Sequence, residues 1–255
     1  MRIWTSLARG VVLETLRRKD LWVVAILGLV IMLSAGALGF FGVNGLESFV
    51  KDLGTFVIGL FSTILTVATT SRLIPEEIKN RTLYPLLSRP ISRLDLLIGK
   101  LLGAVCVSWI SFLFLCVVTA LSFVMFGVHF EPILLQYMLC KMLGLVVLAS
   151  VTLTLSVYMT PSGAATLSLI IAVGSGMIVR ALVMAHSSGN AAGPVFKLVN
   201  WMVPQYGLFD LGERAANMHW GLVPLWVVGF LALYAGIYSA AMIGLSWAKF
   251  RNQAV

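Results

Sequence analysis

The sequence predicts an all-α membrane protein with six transmembrane helices, both termini in the cytoplasm and no separate soluble domain. Composition is the first reason: 60% of the 255 residues are apolar and 11% are charged, against about 45–50% and about 25% in soluble domains. The second reason is a series of apolar runs long enough to cross a bilayer, and the third is the uneven placement of basic residues between the loops.

Six apolar segments meet the length that a membrane span requires. A helix rises ~1.5 Å per residue and therefore needs ~20 apolar residues to cross ~30 Å of hydrocarbon. Residues 1–255 are expected to form one transmembrane domain. The predicted spans are 21–43, 53–74, 98–126, 133–157, 163–185 and 222–247.

Basic residues set the predicted orientation, because cytoplasmic loops are enriched in Lys and Arg. They are dense before the first span, between the second and third spans and in the C-terminal tail, whereas the opposite loops hold only Lys51, Lys197 and Arg214. The net charge of +8 therefore indicates topology and contact with anionic lipid rather than nucleic-acid binding. The predicted location is the bacterial cytoplasmic (inner) membrane.

Residues 1–20 predict an amphipathic helix in the cytoplasmic interface. Trp4, Leu7 and Val11 recur at helical spacing, while Arg2 and Arg9 occupy the other side. Such a helix rests its apolar face on lipid and turns its basic groups toward the head groups.

The stretch 75–93 is too polar for lipid, yet it is patterned. A leucine edge at helical spacing predicts a short cytoplasmic helix, and Ser92 with Asp95 forms a capping pair that starts the third span. A short helix that exposes apolar and charged groups together suits docking to a soluble partner. The leucines of this edge are Leu83, Leu86 and Leu87.

Residues 77–100 resemble the type-2 permeases of ABC transporters, nearest to the branch associated with copper-enzyme maturation. Arg81 departs from the many relatives that carry Gly there, which points away from the branches that export drugs or polysaccharides. The matching stretches are Glu77-Ile78-x-Asn80-Arg81-Thr82, Leu86-Leu87-Ser88-Arg89-Pro90-Ile91-Ser92-Arg93 and Gly99-Lys100.

The resemblance implies that 75–93 is a coupling helix, held in a cleft of an ATPase subunit. One set of residues would transmit nucleotide-driven motion, and a second set would shape the turn into the third span. The first set is Glu77, Asn80, Arg81, Thr82, Leu86 and Leu87; the second is Ser88, Pro90 and Arg93.

The resemblance also implies the partners: two ATPase subunits that bind ATP and Mg, a second permease (identical or paralogous), membrane lipids and a periplasmic protein. It implies the layout of type V exporters, in which short re-entrant helices cap the outer side within 186–221. The expected output is export of an amphipathic or lipidic substrate, or mechanical signalling.

The chain itself lacks a P-loop. Gly99-Lys100 has no glycine-rich turn before it, and it is followed by Leu101 where a P-loop has Ser or Thr. The chain is therefore expected to be a non-enzymatic subunit without a cofactor of its own.

Two other functions are weaker alternatives. Glu76-Glu77 with Arg81 matches the EExxxR signature of intramembrane CAAX-type proteases, and His186 with Asn190 matches a second piece of that signature. Metal-assisted hydrolysis needs these groups around one site, but the predicted topology puts them on opposite faces. A membrane scaffold without a motor is the other alternative.

Three features of the sequence each allow two interpretations. Lys141 lies ~12 Å into the fourth span at ~1.5 Å per residue; it either snorkels to the outer interface or faces a cavity or an anionic lipid head group. Residues 186–221 form either the re-entrant cap or a loop lying on lipid. Two small-residue stripes serve packing within the subunit or a dimer seam. The stripes are Gly99 with Gly103, and Ala232, Gly236, Ala240 and Gly244.

Overall fold

The computed structural model describes residues 2–17, 26, 28–30, 46–79, 92–125, 127, 130–187, 204–212 and 221–251. Within these ranges all regular structure is helical. Seven α-helices and one 3-10 helix follow one another in this described part of the chain. They are α1 (Arg2–Arg17), α2 (Leu46–Thr70), α3 (Leu73–Lys79), α4 (Arg93–Met125), α5 (Pro132–Tyr158), α6 (Pro161–Ser187), the 3-10 helix (Tyr206–Phe209) and α7 (Leu225–Arg251).

Four of the described segments are long and apolar enough to cross a membrane: Phe49–Lys79, Arg93–Met125, Pro132–Tyr158 and Leu225–Arg251. They fit a multi-pass membrane protein and correspond to the predicted second, third, fourth and sixth spans, with bounds that differ by a few residues. The fifth predicted span lies within α6, whose 27 residues form one helix. Of the first predicted span, 21–43, only Ile26 and Gly28–Val30 lie in the described part. The total of six spans and their orientation stay predictions.

Helix α5 is the centre of the bundle. It packs against α2, α3, α4, α6, α7 and the 3-10 helix. Its buried residues include Leu134, Leu145 and Leu153, which belong to two separate apolar clusters of the core. A helix that is apolar all round is expected in such a central place.

The direction of the helices is visible from three contacts between α2 and α5. Lys51 forms an ion pair with Glu131 at 2.8 Å, and the Tyr137 hydroxyl donates to the Thr55 carbonyl at 2.8 Å. One turn further, a Cβ on Gly59 would lie 3.3 Å from Lys141 Nζ. The two helices therefore run in the same direction. We call the end with Lys51 the Glu131 end, and the opposite end, where α4 begins and α7 finishes, the Arg93 end.

Helix α1 follows the first turns of α4. Trp4 Nε1 donates to Asp95 Oδ1 at 2.8 Å, and added Cβ atoms on Gly99 and Gly103 would lie 2.8 Å from Leu7 and 2.7 Å from Val11. The predicted amphipathic helix is present as α1, and its apolar face lies against α4, because the two glycines let the backbones approach. Its position in the lipid interface stays a prediction. This stripe on α4 therefore serves packing within the subunit.

The predicted boundary of the second span at Ile74 differs from the structure. The helix breaks at Ser71–Arg72, where Glu76 N–H donates to the Arg72 carbonyl at 3.0 Å, and then continues as α3 to Lys79. Pro75 fits inside α3 because the first turn of a helix has no internal partner for its N–H groups. The fully buried Ile74 fastens α3 to the core.

Candidate functional site

The predicted coupling residues fall partly within the described structure. Glu77 lies near the end of α3, and Arg93 is the first residue of α4. The segment between them, 80–91, lies outside the described residues. The predicted residues in that segment are Asn80, Arg81, Thr82, Leu86, Leu87, Ser88 and Pro90.

Glu77 binds the buried end of Lys100. Its carboxylate Oε1 accepts a hydrogen bond from Lys100 Nζ, within an ion pair between α3 and α4. Lys100 is 5% exposed, so its charge has lost most of its hydration, and an uncompensated charge at such a place is costly. The ion pair therefore ties α3 firmly to α4 just before the segment 80–91.

Arg93 binds the last turn of α7. Its guanidinium donates to the Phe250 carbonyl at 2.7 Å and to the Arg251 carbonyl at 3.3 Å, and it lies 5.7 Å from the centre of the Phe250 ring. The last carbonyls of a helix lack internal partners and carry partial negative charge, so a cation is stabilising there. The resemblance implied a role for Arg93 in the turn; the structure adds the bond to the C-terminal helix.

Asp95 joins the start of α4 to α1. The Ser92 hydroxyl donates to Asp95 Oδ2 at 2.6 Å, and the Asp95 N–H donates to Ser92 Oγ at 3.1 Å, so the predicted capping pair is present. The other carboxylate oxygen accepts the bond from Trp4. Sequence reasoning missed this last contact, although a buried indole N–H usually needs an acceptor.

A cavity of about 650 Å³ lies toward the Glu131 end. It is lined by one face of α2, by α5, by α6 and by residues 206–212. The polar groups come from six residues, and the remaining wall is mainly apolar. These six are Asp52, Thr55, Thr63, Lys141, Tyr206 and Asp210. The apolar lining includes Phe56, Leu60, Leu145, Leu148, Ala172 and Val173.

Lys141 lies in the wall of this cavity and pairs with Asp210 at 3.0 Å. Gly59 leaves room for this position, because an added Cβ there would lie 3.3 Å from Lys141 Nζ, which is a tight contact. Burial raises the pKa of the Asp210 carboxyl, but the adjacent Lys141 ammonium, its hydrogen bond and the Gly212 N–H outweigh that effect and hold the pKa below its usual value. Sequence reasoning did not find Asp210; the signal was that a lysine inside an apolar helix needs an acidic partner.

Residues 204–212 close the cavity by packing deep among the helices. Phe209 is 1% exposed and lies against Gly144, where an added Cβ would be 2.9 Å from the Phe209 Cβ. The Gln205 N–H donates to the Tyr234 hydroxyl at 3.3 Å, which ties the segment to α7. Since Lys141 lies nine residues beyond Pro132, the segment reaches ~13 Å along α5. This part of the predicted outer loop is thus inserted into the bundle.

The two halves of the protease signature lie far apart. Glu76 and Glu77 belong to α3 at the Arg93 end, whereas His186 lies in the last turn of α6 at the Glu131 end. The full length of α6, ~40 Å at ~1.5 Å per residue, separates these ends. In the described part of the chain, no three His, Cys, Asp or Glu residues come together as a metal-binding group.

Comparison with known families gives a match over residues 21–255. The matching model is described as a protein of unknown function, DUF2705. The chain belongs to this family. No curated protein matches the chain.

Proposed function

We propose that this DUF2705 member is the membrane subunit of an ABC transporter. It works as a dimer, with itself or a paralogue, and with two ATPase subunits that bind at residues 75–93. ATP binding and hydrolysis in those subunits move the helices joined to this segment. The output is export of an amphipathic or lipidic substrate, or a mechanical signal to a periplasmic protein. The proposal starts from the resemblance of residues 77–100 to type-2 permeases.

The observation that supports it most is how the residues on either side of 80–91 are bound to the helices. On one side the Glu77–Lys100 ion pair holds α3 on α4. On the other side Arg93 holds the end of α7, and Asp95 holds α1. A force applied between two such anchors is passed to four helices at once, whereas a plain connecting loop has no need of them.

The packing of α4 and α7 gives the path by which motion at the Arg93 end would reach the centre of the bundle. Both α4 and α7 pack against the central α5, so moving their ends at the Arg93 end displaces the core rather than a surface loop. Closely packed interiors transmit such strain, because they have few voids to absorb it. The Arg93 end is the end that the predicted orientation puts in the cytoplasm, where an ATPase subunit would dock.

Copurification tests this proposal. The tagged chain is coexpressed with candidate ABC ATPases, and the complex is isolated in mild detergent. We expect one ATPase to bind and its hydrolysis rate to change on binding. Arg81→Glu with Leu86→Asp should abolish the complex, because the charge reversal and the buried carboxylate both oppose docking.

The control introduces a carboxylate at the Glu131 end instead, as Leu225→Asp at the start of α7. Leu225 is 80% exposed, so the substitution does not bury a charge. This variant should keep the ATPase. If no ATPase copurifies, or if the complex survives the changes at Arg81 and Leu86, the chain is a scaffold or docks elsewhere and the proposal is wrong.

A further inference from the structure

The cavity at the Glu131 end has a polar end and an apolar end. Asp52 and Thr55 lie nearest the Glu131 end, and the Lys141–Asp210 pair comes next. The deeper wall is formed mainly by apolar residues such as Leu145, Leu148 and Ala172, and the hydroxyl residues Thr63 and Tyr206 also belong to the wall. This is the order in which a lipid-like molecule presents its head and its chain when its head lies toward the Glu131 end. The volume of about 650 Å³ falls within the ~300–1,000 Å³ typical of small-molecule sites.

The side of the cavity between α2 and α6 is its candidate entrance. Phe56 and Val173 contribute to its wall and are 64% and 58% exposed. An entrance with exposed apolar residues on a membrane-facing side admits a ligand from lipid rather than from water. A volume of about 650 Å³ suits a molecule with one hydrocarbon chain better than a phospholipid with two.

The charges of the polar end favour a cation. Lys141 is matched by Asp210 and therefore adds no net charge. The Thr55 hydroxyl is already bonded to the carbonyls of Lys51 and Asp52. Among the residues that the structure describes, the Asp52 carboxylate lines the cavity without an ion pair or hydrogen bond of its own. An ammonium group placed there gains a charge-assisted hydrogen bond, whereas a carboxylate or phosphate is repelled.

We propose that this cavity binds a single-chain amphiphile with an ammonium head group, with its head at Asp52 and its chain along Leu60, Leu145 and Leu148. Binding involves α2, α5, α6 and residues 206–212 only. It therefore does not depend on an ATPase, and it is measurable with the chain alone.

Photolabelling in phosphatidylcholine nanodiscs tests the site. Three probes share a sixteen-carbon chain with a mid-chain diazirine and differ in the head group: ammonium, hydroxyl or carboxylate. Labelled peptides are located by mass spectrometry. We expect the ammonium probe to label the cavity-lining parts of α2, α5 and α6 at least fivefold more than the hydroxyl probe, and the carboxylate probe to label them least.

Variants separate the head group from the chain. Asp52→Asn should remove the advantage of the ammonium probe and leave the hydroxyl probe unchanged. Asp210→Asn frees Lys141 and should raise labelling by the carboxylate probe. Val173→Trp should block all three probes by filling the entrance, while Leu121→Trp, an equally exposed position on α4 outside the cavity (62% exposed), should change nothing.

Equal labelling by the three probes, or an unchanged ammonium preference in Asp52→Asn, would overturn the proposal. So would labelling spread evenly over exposed positions such as Leu121. Because no ATPase is present, a negative result leaves the coupling proposal untouched, and failed copurification leaves this site untouched.

Discussion

Lys141 shows how a single charge is accommodated inside an apolar helix. A lysine near the middle of a membrane helix costs ~2.5–3.5 kcal/mol on insertion scales, so it needs compensation from its surroundings. Here the compensation has three sources. Asp210 provides the opposite charge at 3.0 Å, Gly59 leaves room for the ammonium, and the cavity gives access to polar groups.

The lowered pKa of Asp210 predicts how the ion pair depends on pH. A carboxyl whose folded-state pKa is depressed stabilises the fold fully above its ordinary pKa, about 3.9, and loses that contribution as the pH falls through the lower folded-state value. The difference in melting temperature between the parent protein and Asp210→Asn should therefore stay constant from pH 8 to about pH 5 and shrink only in stronger acid. Scanning fluorimetry in detergent measures it. A difference that already vanishes between pH 7 and pH 6 would contradict the direction of the shift.

Among the elements, α1 has the closest fit to its neighbour. Its contacts with α4 advance in register, from Trp4 and Asp95 to Leu7 and Gly99 and then to Val11 and Gly103. Small residues at intervals of four create a groove, and the larger side chains of the facing helix fill it. Because α4 begins at Arg93, any movement of the coupling end is shared with α1.

Glycine substitutions test this fit. Gly103→Ala places a Cβ 2.7 Å from the Val11 Cβ, and such overpacking costs about 1–3 kcal/mol. Gly10→Ala on α1 meets nothing within 4 Å and should stabilise the helix by about 0.5–1 kcal/mol. We expect limited proteolysis to release the N-terminal helix faster in Gly103→Ala and no faster than the parent in Gly10→Ala. Equal release from both variants would show that α1 is held elsewhere.

In the whole molecule, buried ion pairs connect the helices at both ends of the bundle. Lys51 with Glu131 ties α2 to the start of α5, and Glu77 with Lys100 ties α3 to α4. Both lysines are buried, at 0% and 5% exposed. Such pairs contribute little net stability compared with apolar residues of the same shape, but removing one partner is costly. They therefore enforce one specific arrangement of the helices.

Removing Glu77 should weaken the whole bundle. Glu77→Gln leaves the Lys100 charge buried without its partner, and we expect the fold to lose about 3–5 kcal/mol. The double variant Glu77→Leu with Lys100→Met removes both charges and should recover most of that loss. Thermal unfolding in detergent compares the three proteins. A double variant as unstable as Glu77→Gln would indicate that these side chains act through other contacts.

The second small-residue stripe, on α7, has no packing partner within the described part of the chain. Gly236 and Gly244 on α7 are exposed, and added Cβ atoms there would meet nothing within 4 Å. In contrast to Gly99 and Gly103, these glycines have no helix of the described chain against them. The same small-residue pattern therefore packs against a helix in α4 and against none of the described helices in α7. The sequence could not distinguish these two cases, because the two stripes have the same spacing and their partners lie elsewhere in the fold.

Composition and local pattern were enough to determine the helical class, four long apolar segments close to their predicted bounds, α6 over the fifth predicted span and the Ser92–Asp95 cap. These features depend on residues close together in the chain, so that segment length, hydropathy and local hydrogen bonds are enough to predict them. Only the tertiary structure decided that α1 follows α4, that Asp210 pairs with Lys141 and that Arg93 binds the end of α7. Those contacts join residues 69 to 157 positions apart, and their free energy depends on geometry and burial that only the packed helices create.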